Sequence, residues 1–149
     1  MSERRANWFT YFPQDYRWSA AMMHVLGTGA WGGGEVGEAH QAGLRLAEKV
    51  GDDGHWFRTW KWMGERVEKL AEEADARGRK FTAAGAYLRA ANYYQVGERF
   101  RTPKDEEGLA VYRRAVQCFQ KGVARKSRPR VEPVEVPYQG GSLPAYFAH

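Results

Sequence analysis

Residues 52–78 read DDGHWFRTWKWMGERVEKLAEEADARG and carry the clearest helical pattern in the sequence. The large apolar residues recur at spacings of three and four, as they do on one face of an α-helix. These residues are Trp56, Trp60, Met63, Val67, Leu70 and Ala74. Asp52 or Asp53 can cap the start of the helix, and Gly78 can end it. We therefore predict a long amphipathic helix that packs against a core.

Four more helices are predicted around this one. The first follows an aromatic segment (Trp8, Phe9, Tyr11 and Phe12) and is capped by Asp15, and the second spans residues 35–50 and ends at Gly51. The fourth spans residues 80–100, with an apolar side of Phe81, Ala84, Tyr87, Ala91 and Tyr94. The fifth begins at a Thr102 cap with Pro103 in its first turn, and its stripe is Leu109, Tyr112, Val116, Phe119 and Val123. Short turns with glycine imply an antiparallel array of about five helices.

The pattern changes from helix to strand after Pro129. Val131, Val134 and Val136 are β-branched, and residues 138–142, YQGGS, are typical of a tight turn. We predict a C-terminal β-hairpin over residues 131–149. An isolated hairpin is at best marginally stable, so these strands favour the opening of a larger sheet. The predicted fold is mainly α, with a helical domain at 1–125, a basic linker at 126–130 and the hairpin.

Composition limits the functional classes. The chain has 149 residues, 43% hydrophobic, with six Trp, which suffices for one compact core. The net charge of +5 comes from residues 121–130, which hold five basic residues and no acidic one. We interpret this run as a solvated linker, so no nucleic-acid partner is expected; phosphate binding or an acidic partner remains an alternative. The single cysteine, Cys118, allows no disulfide and is expected to be buried. No apolar run reaches membrane-spanning length, so a cytoplasmic protein without a membrane partner is expected.

No catalytic set is visible in the sequence. The serines are Ser2, Ser19, Ser127 and Ser142, and none lies in the Gly-x-Ser-x-Gly pattern of a nucleophile. No histidine has a second ligand at metal-binding spacing, so neither a metal nor a cofactor is predicted. The glycine-rich residues 27–34 around Trp31 lack the features of a phosphate loop. Two interpretations of that run stay open, a flexible loop and a loop that faces a substrate.

The fourth helix also looks like half of a tetratricopeptide-type pair. A true array would repeat at about 34 residues, and the fifth helix does not reproduce the pattern. A stand-alone helical interaction module, with its hairpin edge pairing with another chain's sheet, is the alternative to an enzyme segment.

Four stretches together resemble a known family. They are residues 11–13 (YFP), 89–96 (RAANYYQV), 111–119 (VYRRAVQCF) and 136–147 (VPYQGGSLPAYF). In this order the chain resembles the N-terminal region of α/β-hydrolases related to 2,6-dihydropseudooxynicotine hydrolase. Fungal polyketide-shortening hydrolases and fermentation-respiration switch proteins are similar in layout. The likeness covers nearly the whole chain, and the hairpin is its most specific part.

The resemblance implies a helical cap over an active site, contacts in a possible homodimer, and a hairpin that starts the catalytic sheet. It implies cleavage of C–C, ester or amide bonds in a small aromatic or polyketide-like substrate by a Ser-Asp-His triad. No triad residue can be assigned before His149, so the catalytic domain is expected to be missing or on a separate chain. The candidate pocket residues, each with core packing as the alternative, are Trp18, Met22, Trp31, Trp60 and Tyr93. His24 is a further candidate, because its helix borders the glycine-rich residues 27–34.

Overall fold

The structure, a computed structural model, describes residues 10–149; the predicted aromatic segment's Trp8 and Phe9 lie outside this range. It confirms a helical array followed by an antiparallel hairpin. The helices are α1 (Tyr16–Gly27), α2 (Val36–Leu46), α3 (Asp53–Ala76), α4 (Lys80–Glu98) and α5 (Glu106–Val123). The strands are β1 (Val131–Tyr138) and β2 (Gly141–Ala148). Short 3-10 helices, Thr28–Trp31 and Ala47–Lys49, follow α1 and α2. No helix in this range is both long and apolar enough to cross a membrane.

The predicted helix boundaries around α3 are confirmed. The Asp52 carboxylate accepts a hydrogen bond from the His55 amide at 2.9 Å, and Asp15 caps α1 in the same way through the Trp18 amide at 3.1 Å. Gly51 and Gly78 have φ angles of +91° and +71°, which side chains other than glycine rarely adopt. The chain therefore turns at the predicted places on both sides of α3.

The predicted start of α5 at Thr102 is wrong. The helix begins at Glu106, and its capping residue is Asp105, three residues after Thr102. Its carboxylate accepts a hydrogen bond from the Gly108 amide at 2.8 Å and another from Arg101. These bonds explain why Asp105 displaces Thr102 as the cap, and they lower the pKa of Asp105 to about 2.

The core is organised around a continuous row of rings. Ring centroids lie 5.6 Å apart from Phe12 to Trp18, 5.0 Å from Trp18 to Trp56, and 5.8 Å from Trp56 to Trp60. Tyr93 on α4 continues the row at 5.4 Å from Trp60. All five rings are buried. The row joins the segment before α1 to α3 and α4, so burial of these rings fixes how the helices pack.

Two residues of the apolar stripes predicted for α3 and α4 lie outside the core. Phe81 is 90% exposed, because the neighbouring helices cover α4 only from Ala83 onward. Leu70 is 47% exposed because the buried face of α3 includes Glu68 in its place. Glu68 is tolerated there because it accepts hydrogen bonds from Tyr94 and Arg114.

The buried face of α5 is not the predicted one. Small residues face the core, namely Gly108, Val111, Ala115, Cys118 and Gly122. A Cβ atom added at Gly122 would lie 2.9 Å from the Leu88 side chain and 3.3 Å from the Ala84 carbonyl oxygen, so α4 and α5 pack closely there. The bulky stripe from Tyr112 to Val123 therefore points to another side of the helix.

Two of the five basic residues in the run 121–130 form ion pairs with α3 and do not belong to a solvated linker. Arg125 donates to Asp75 on α3 at 2.9 Å, and Lys121 lies 3.5 Å from Glu68. These ion pairs join the end of α5 to α3. Burial of Cys118 is confirmed, and burial raises the pKa of its thiol to about 12.

The hairpin pairs β1 with β2 from Val131 opposite Ala148 to Tyr138 opposite Gly141. Gln139 and Gly140 form its turn with φ angles of +45° and +80°, the combination of a type I′ turn. Residues directly opposite each other share a face of the hairpin. One face consequently presents the apolar residues Val134, Val136, Tyr138, Leu143, Ala145 and Phe147, with Glu132 at its end opposite Phe147.

Candidate functional site

The main concave feature of the described residues is a groove of about 560 Å³ between α4, α5 and the hairpin, called the α4–α5 groove below. Pockets of about 300–1,000 Å³ suit small organic ligands. The lining residues are Thr28, Trp31, Gly33, Leu88, Ala91, Asn92, Gln95, Tyr112, Ala115, Val116, Phe119, Val123, Lys126, Pro129, Val131 and Tyr146.

One wall of the groove is the bulky stripe of α5. Tyr112, Val116, Phe119 and Val123 recur at helical spacing and line the groove together. Tyr112 is 50% exposed. The stripe that the sequence assigns to the core is therefore the apolar wall of the candidate site.

The hairpin reaches the groove through Tyr146. Its ring packs edge-on against Phe119 with centroids 4.9 Å apart, and the Gln120 side-chain amide donates to its hydroxyl at 3.1 Å. Val131 of β1 lines the same end of the groove. These contacts place one face of the hairpin on α5, and within residues 10–149 the opposite, largely apolar face stays exposed.

Residues 28–34, called the glycine loop below, form the opposite rim and are tied to α4. The Asn92 side-chain amide donates to the Thr28 hydroxyl at 3.1 Å and to the Gly33 carbonyl at 2.6 Å. A Cβ atom at Gly34 would lie 2.5 Å from the Val25 carbonyl oxygen, so that position requires glycine. The loop therefore has a defined conformation, and it presents Trp31 with 81% of its surface exposed.

A polar cluster anchors the start of α2 to α4 behind the glycine loop. The Tyr93 hydroxyl donates to Glu38 at 2.6 Å and accepts from the Glu35 amide at 3.0 Å, while Arg89 donates twice to Glu38. Burial and the hydrogen bond to Glu38 raise the pKa of Tyr93 far above its ordinary value. The phenol therefore stays protonated and acts as a structural donor.

Within residues 10–149, the groove lining holds no serine or cysteine nucleophile and no histidine or carboxylate base to activate one. None of the lining residues, all within the described range, is a serine, cysteine, histidine, aspartate or glutamate. Their polar groups are mainly the amides of Asn92 and Gln95, the Tyr hydroxyls and the Lys126 amine. The chemistry open to this surface is recognition of a largely apolar molecule.

Of the six residues proposed from the sequence for a pocket, the structure places one on the groove. Trp31 lines it. His24 is exposed at the end of α1 and is not among the lining residues. The other four are completely buried in the core, as their core-packing alternative states: Trp18, Met22, Trp60 and Tyr93.

Sequence reasoning missed most of the groove, including Tyr112, Phe119, Lys126 and Tyr146. A signal for the α5 wall was present. Gly108, Ala115 and Gly122 recur every seven residues on a face of α5 next to the bulky stripe, and Ala115 borders the groove as well. Two neighbouring faces, one of small and one of large residues, indicate a helix that packs tightly on one face and meets a second surface with the other.

Comparison with known proteins gives a consistent set of relatives, although no family model matches the chain. Hydrolase acrC of Aspergillus aculeatus is 34% identical over 135 residues, which are 88% of this chain and 30% of that protein. The 20-hydroxy-prefusarin hydrolase FUS2 of Gibberella moniliformis is 38% identical over 118 residues, 78% of this chain and 27% of the relative. Alpha/beta hydrolase xenA of Xenoacremonium sinensis is 31% identical over 140 residues, 93% and 32% respectively.

These matches cover most of this chain and about 30% of each relative's length. The xenA match includes residues of both the helices and the hairpin, since it covers 93% of the chain. Together with the helical array and the hairpin that follows it, the matches show that the chain is related to a segment of fungal α/β-hydrolases.

Proposed function

We propose that this chain is the cap segment of an α/β-hydrolase, with the α4–α5 groove and the hairpin facing a catalytic domain. The observation that carries the proposal is the uncovered apolar face of the hairpin beside an apolar groove. Phe147 on that face is 57% exposed, and Val136, Tyr138 and Leu143 are also exposed. Contiguous apolar surface of this kind marks a site where another protein surface packs.

The hairpin supports the same proposal through its backbone. Within the described residues the sheet has two strands, so each strand has one unpaired edge. Prolines 133 and 137 on β1 and 144 on β2 remove some edge donors but leave other edge groups able to pair. Further strands would satisfy these groups and cover the apolar face, as in a larger sheet.

The proposed chemistry is that of the intact protein. A serine nucleophile outside this chain would cleave a C–C, ester or amide bond in a small aromatic or polyketide-like substrate. The chain itself would exclude water, shape the pocket and contribute contacts to a homodimer. The named relatives are hydrolases, and the groove of this chain offers apolar walls without a nucleophile.

Reconstitution with a catalytic domain tests the proposal. The chain is co-expressed with the part of hydrolase acrC that it does not match, and the pair is purified through a tag on one partner. We expect the two to co-purify and a fluorophosphonate, which labels active serine hydrolases, to react with the acrC part. Phe147→Asp should abolish co-purification because it puts a charge on the apolar hairpin face.

The matched control is Phe81→Asp. Phe81 is also a phenylalanine and is even more exposed, but it lies on α4 and not on the hairpin. This variant should co-purify like the wild type. The cap proposal would be contradicted if the chain stayed monomeric, did not bind the acrC part and had a hairpin that resists proteolysis. That result would favour the stand-alone interaction module.

A further inference from the structure

The charge of the α4–α5 groove is unbalanced. Lys126 is the one charged residue among the described lining residues, and no carboxylate lines the groove with it. Its amine has no ion pair or side-chain hydrogen bond within residues 10–149. Lys121 and Arg125, by contrast, pair with Glu68 and Asp75. One cation of the basic run is thus left uncompensated inside an apolar recess.

Lys126 sits at a defined end of the groove. It lines the recess with Pro129 and Val131, next to the hairpin. An amine flanked by apolar groups attracts an anion more strongly than one in open water, because less solvent screens it. This end of the groove is therefore suited to a carboxylate or another organic oxyanion.

The rest of the groove suits a flat apolar body. Leu88 and Ala91 on α4 and Val116 on α5 line it, while Trp31 and Tyr112 come from two different elements with much of their rings exposed. Aromatic side chains contribute large contact area and stack well on other rings. The glycine loop holds Trp31 in place through Asn92, so this surface is formed before a ligand arrives.

We infer that the α4–α5 groove binds an aromatic or extended conjugated organic acid, with its anionic group at Lys126 and its apolar body against Trp31 and Tyr112. The inference rests on the proposed function in one respect: it takes this acid to be the class of substrate that the intact hydrolase cleaves. Binding itself is a property of this chain and can be measured without a catalytic domain.

Two fluorescent probes that differ by one charge test the inference. The first, 1-anilinonaphthalene-8-sulfonate, carries an anion on fused rings, and N-phenyl-1-naphthylamine has the same rings without it. We expect both to bind the full chain saturably. Lys126→Gln should weaken binding of the sulfonate by about three- to tenfold, the loss of one charged contact, and leave the neutral probe unchanged. Lys126→Arg should keep binding of the sulfonate close to that of the wild type, because it retains the positive charge.

Controls separate the groove from other surfaces. Arg128→Gln removes the same charge from the same linker at a residue outside the groove lining and should have no effect. Trp31→Ala should weaken both probes without affecting folding, because Trp31 is largely exposed. Val116→Trp should also weaken both by filling the groove.

The outcomes are distinguishable from those of the reconstitution. Equal sulfonate binding by the wild type and Lys126→Gln would overturn the inference. Probe binding that is weakened by Phe147→Asp but not by Trp31→Ala would also overturn it, because the probes would then bind the hairpin face and not the groove. If the groove binds the sulfonate in a charge-dependent way but the chain does not co-purify with the acrC part, the organic-acid site stands and only the cap proposal is refuted. If the two co-purify but the groove binds neither probe, the cap proposal stands and the organic-acid inference is refuted.

Discussion

At the scale of single residues, Glu68 shows how the helices tolerate a carboxylate in their core. Its oxygens accept hydrogen bonds from the Tyr94 hydroxyl at 2.8 Å and from Arg114 at 2.7 Å. Burial by itself raises the pKa of Glu68, but these two bonds and the charges of Arg114 and Lys121 outweigh it, so the pKa falls below its ordinary value of 4.5. The ionised carboxylate therefore links α3, α4 and α5.

Glu68→Gln is expected to lower the free energy of unfolding by about 1–3 kcal/mol at pH 7, because a charged acceptor is lost inside a paired cluster. The folded-state pKa is depressed, so this stability is present above about pH 4.5 and is lost as the pH falls through the folded-state pKa. The difference in unfolding free energy between the variant and the wild type should stay constant from neutral pH down to about pH 4.5 and shrink at lower pH.

Urea unfolding over a pH series measures this difference. Glu72→Gln, one turn along α3 and exposed, is the control and should change stability by less than about 0.5 kcal/mol. A difference that widens on acidification would contradict the assignment.

At the scale of elements, the glycine loop depends on one of its glycines more than on the others. Gly34→Ala would place a Cβ atom 2.5 Å from the Val25 carbonyl oxygen, which also accepts a hydrogen bond from Thr28. We expect a loss of about 1–3 kcal/mol in unfolding free energy from this overpacking. Thermal unfolding checks it.

Gly85→Ala on α4 is the matched control. Apart from the backbone of its own helix, the nearest atom to its added Cβ is the flexible end of Arg89 at 3.8 Å, and alanine is the better helix former. This variant should gain about 0.5–1 kcal/mol. A Gly34→Ala variant as stable as the wild type would show that the loop can rearrange.

The elements also show what the sequence could and could not predict. The limits of α3 were predictable because local signals, Asp52 and two glycines, define them. The orientation of α5 was not, because its face is chosen by the close fit of Gly122 against Leu88 on another helix. For the same reason buried Trp18 and Trp60 looked like pocket residues: periodicity finds apolar side chains but does not tell core from groove.

At the scale of the whole molecule, most of the large exposed apolar side chains in residues 10–149 lie on the hairpin or at the rim of the α4–α5 groove. Without a partner the hairpin's apolar face should drive self-association as protein concentration rises. Val136→Lys, in the middle of that face, should shift the chain toward the monomer.

Sedimentation velocity over a concentration series measures this shift. Leu70→Lys is the control, since Leu70 is about as exposed as Val136 but lies on α3. Association that persists in Val136→Lys and disappears in Leu70→Lys would place the contact on the helices and remove this argument for a covered hairpin.

The hydrogen bonds from Asn92 to the glycine loop have a kinetic consequence for the groove. The loop cannot swing outward independently of α4, because both of its tethers, at Thr28 and at Gly33, would have to break together. The hairpin, by contrast, meets α5 through the single ring of Tyr146 and its hydroxyl. We therefore expect opening of the hairpin to limit the rate at which molecules enter and leave the groove. The glycine loop stays fixed on α4 during this exchange.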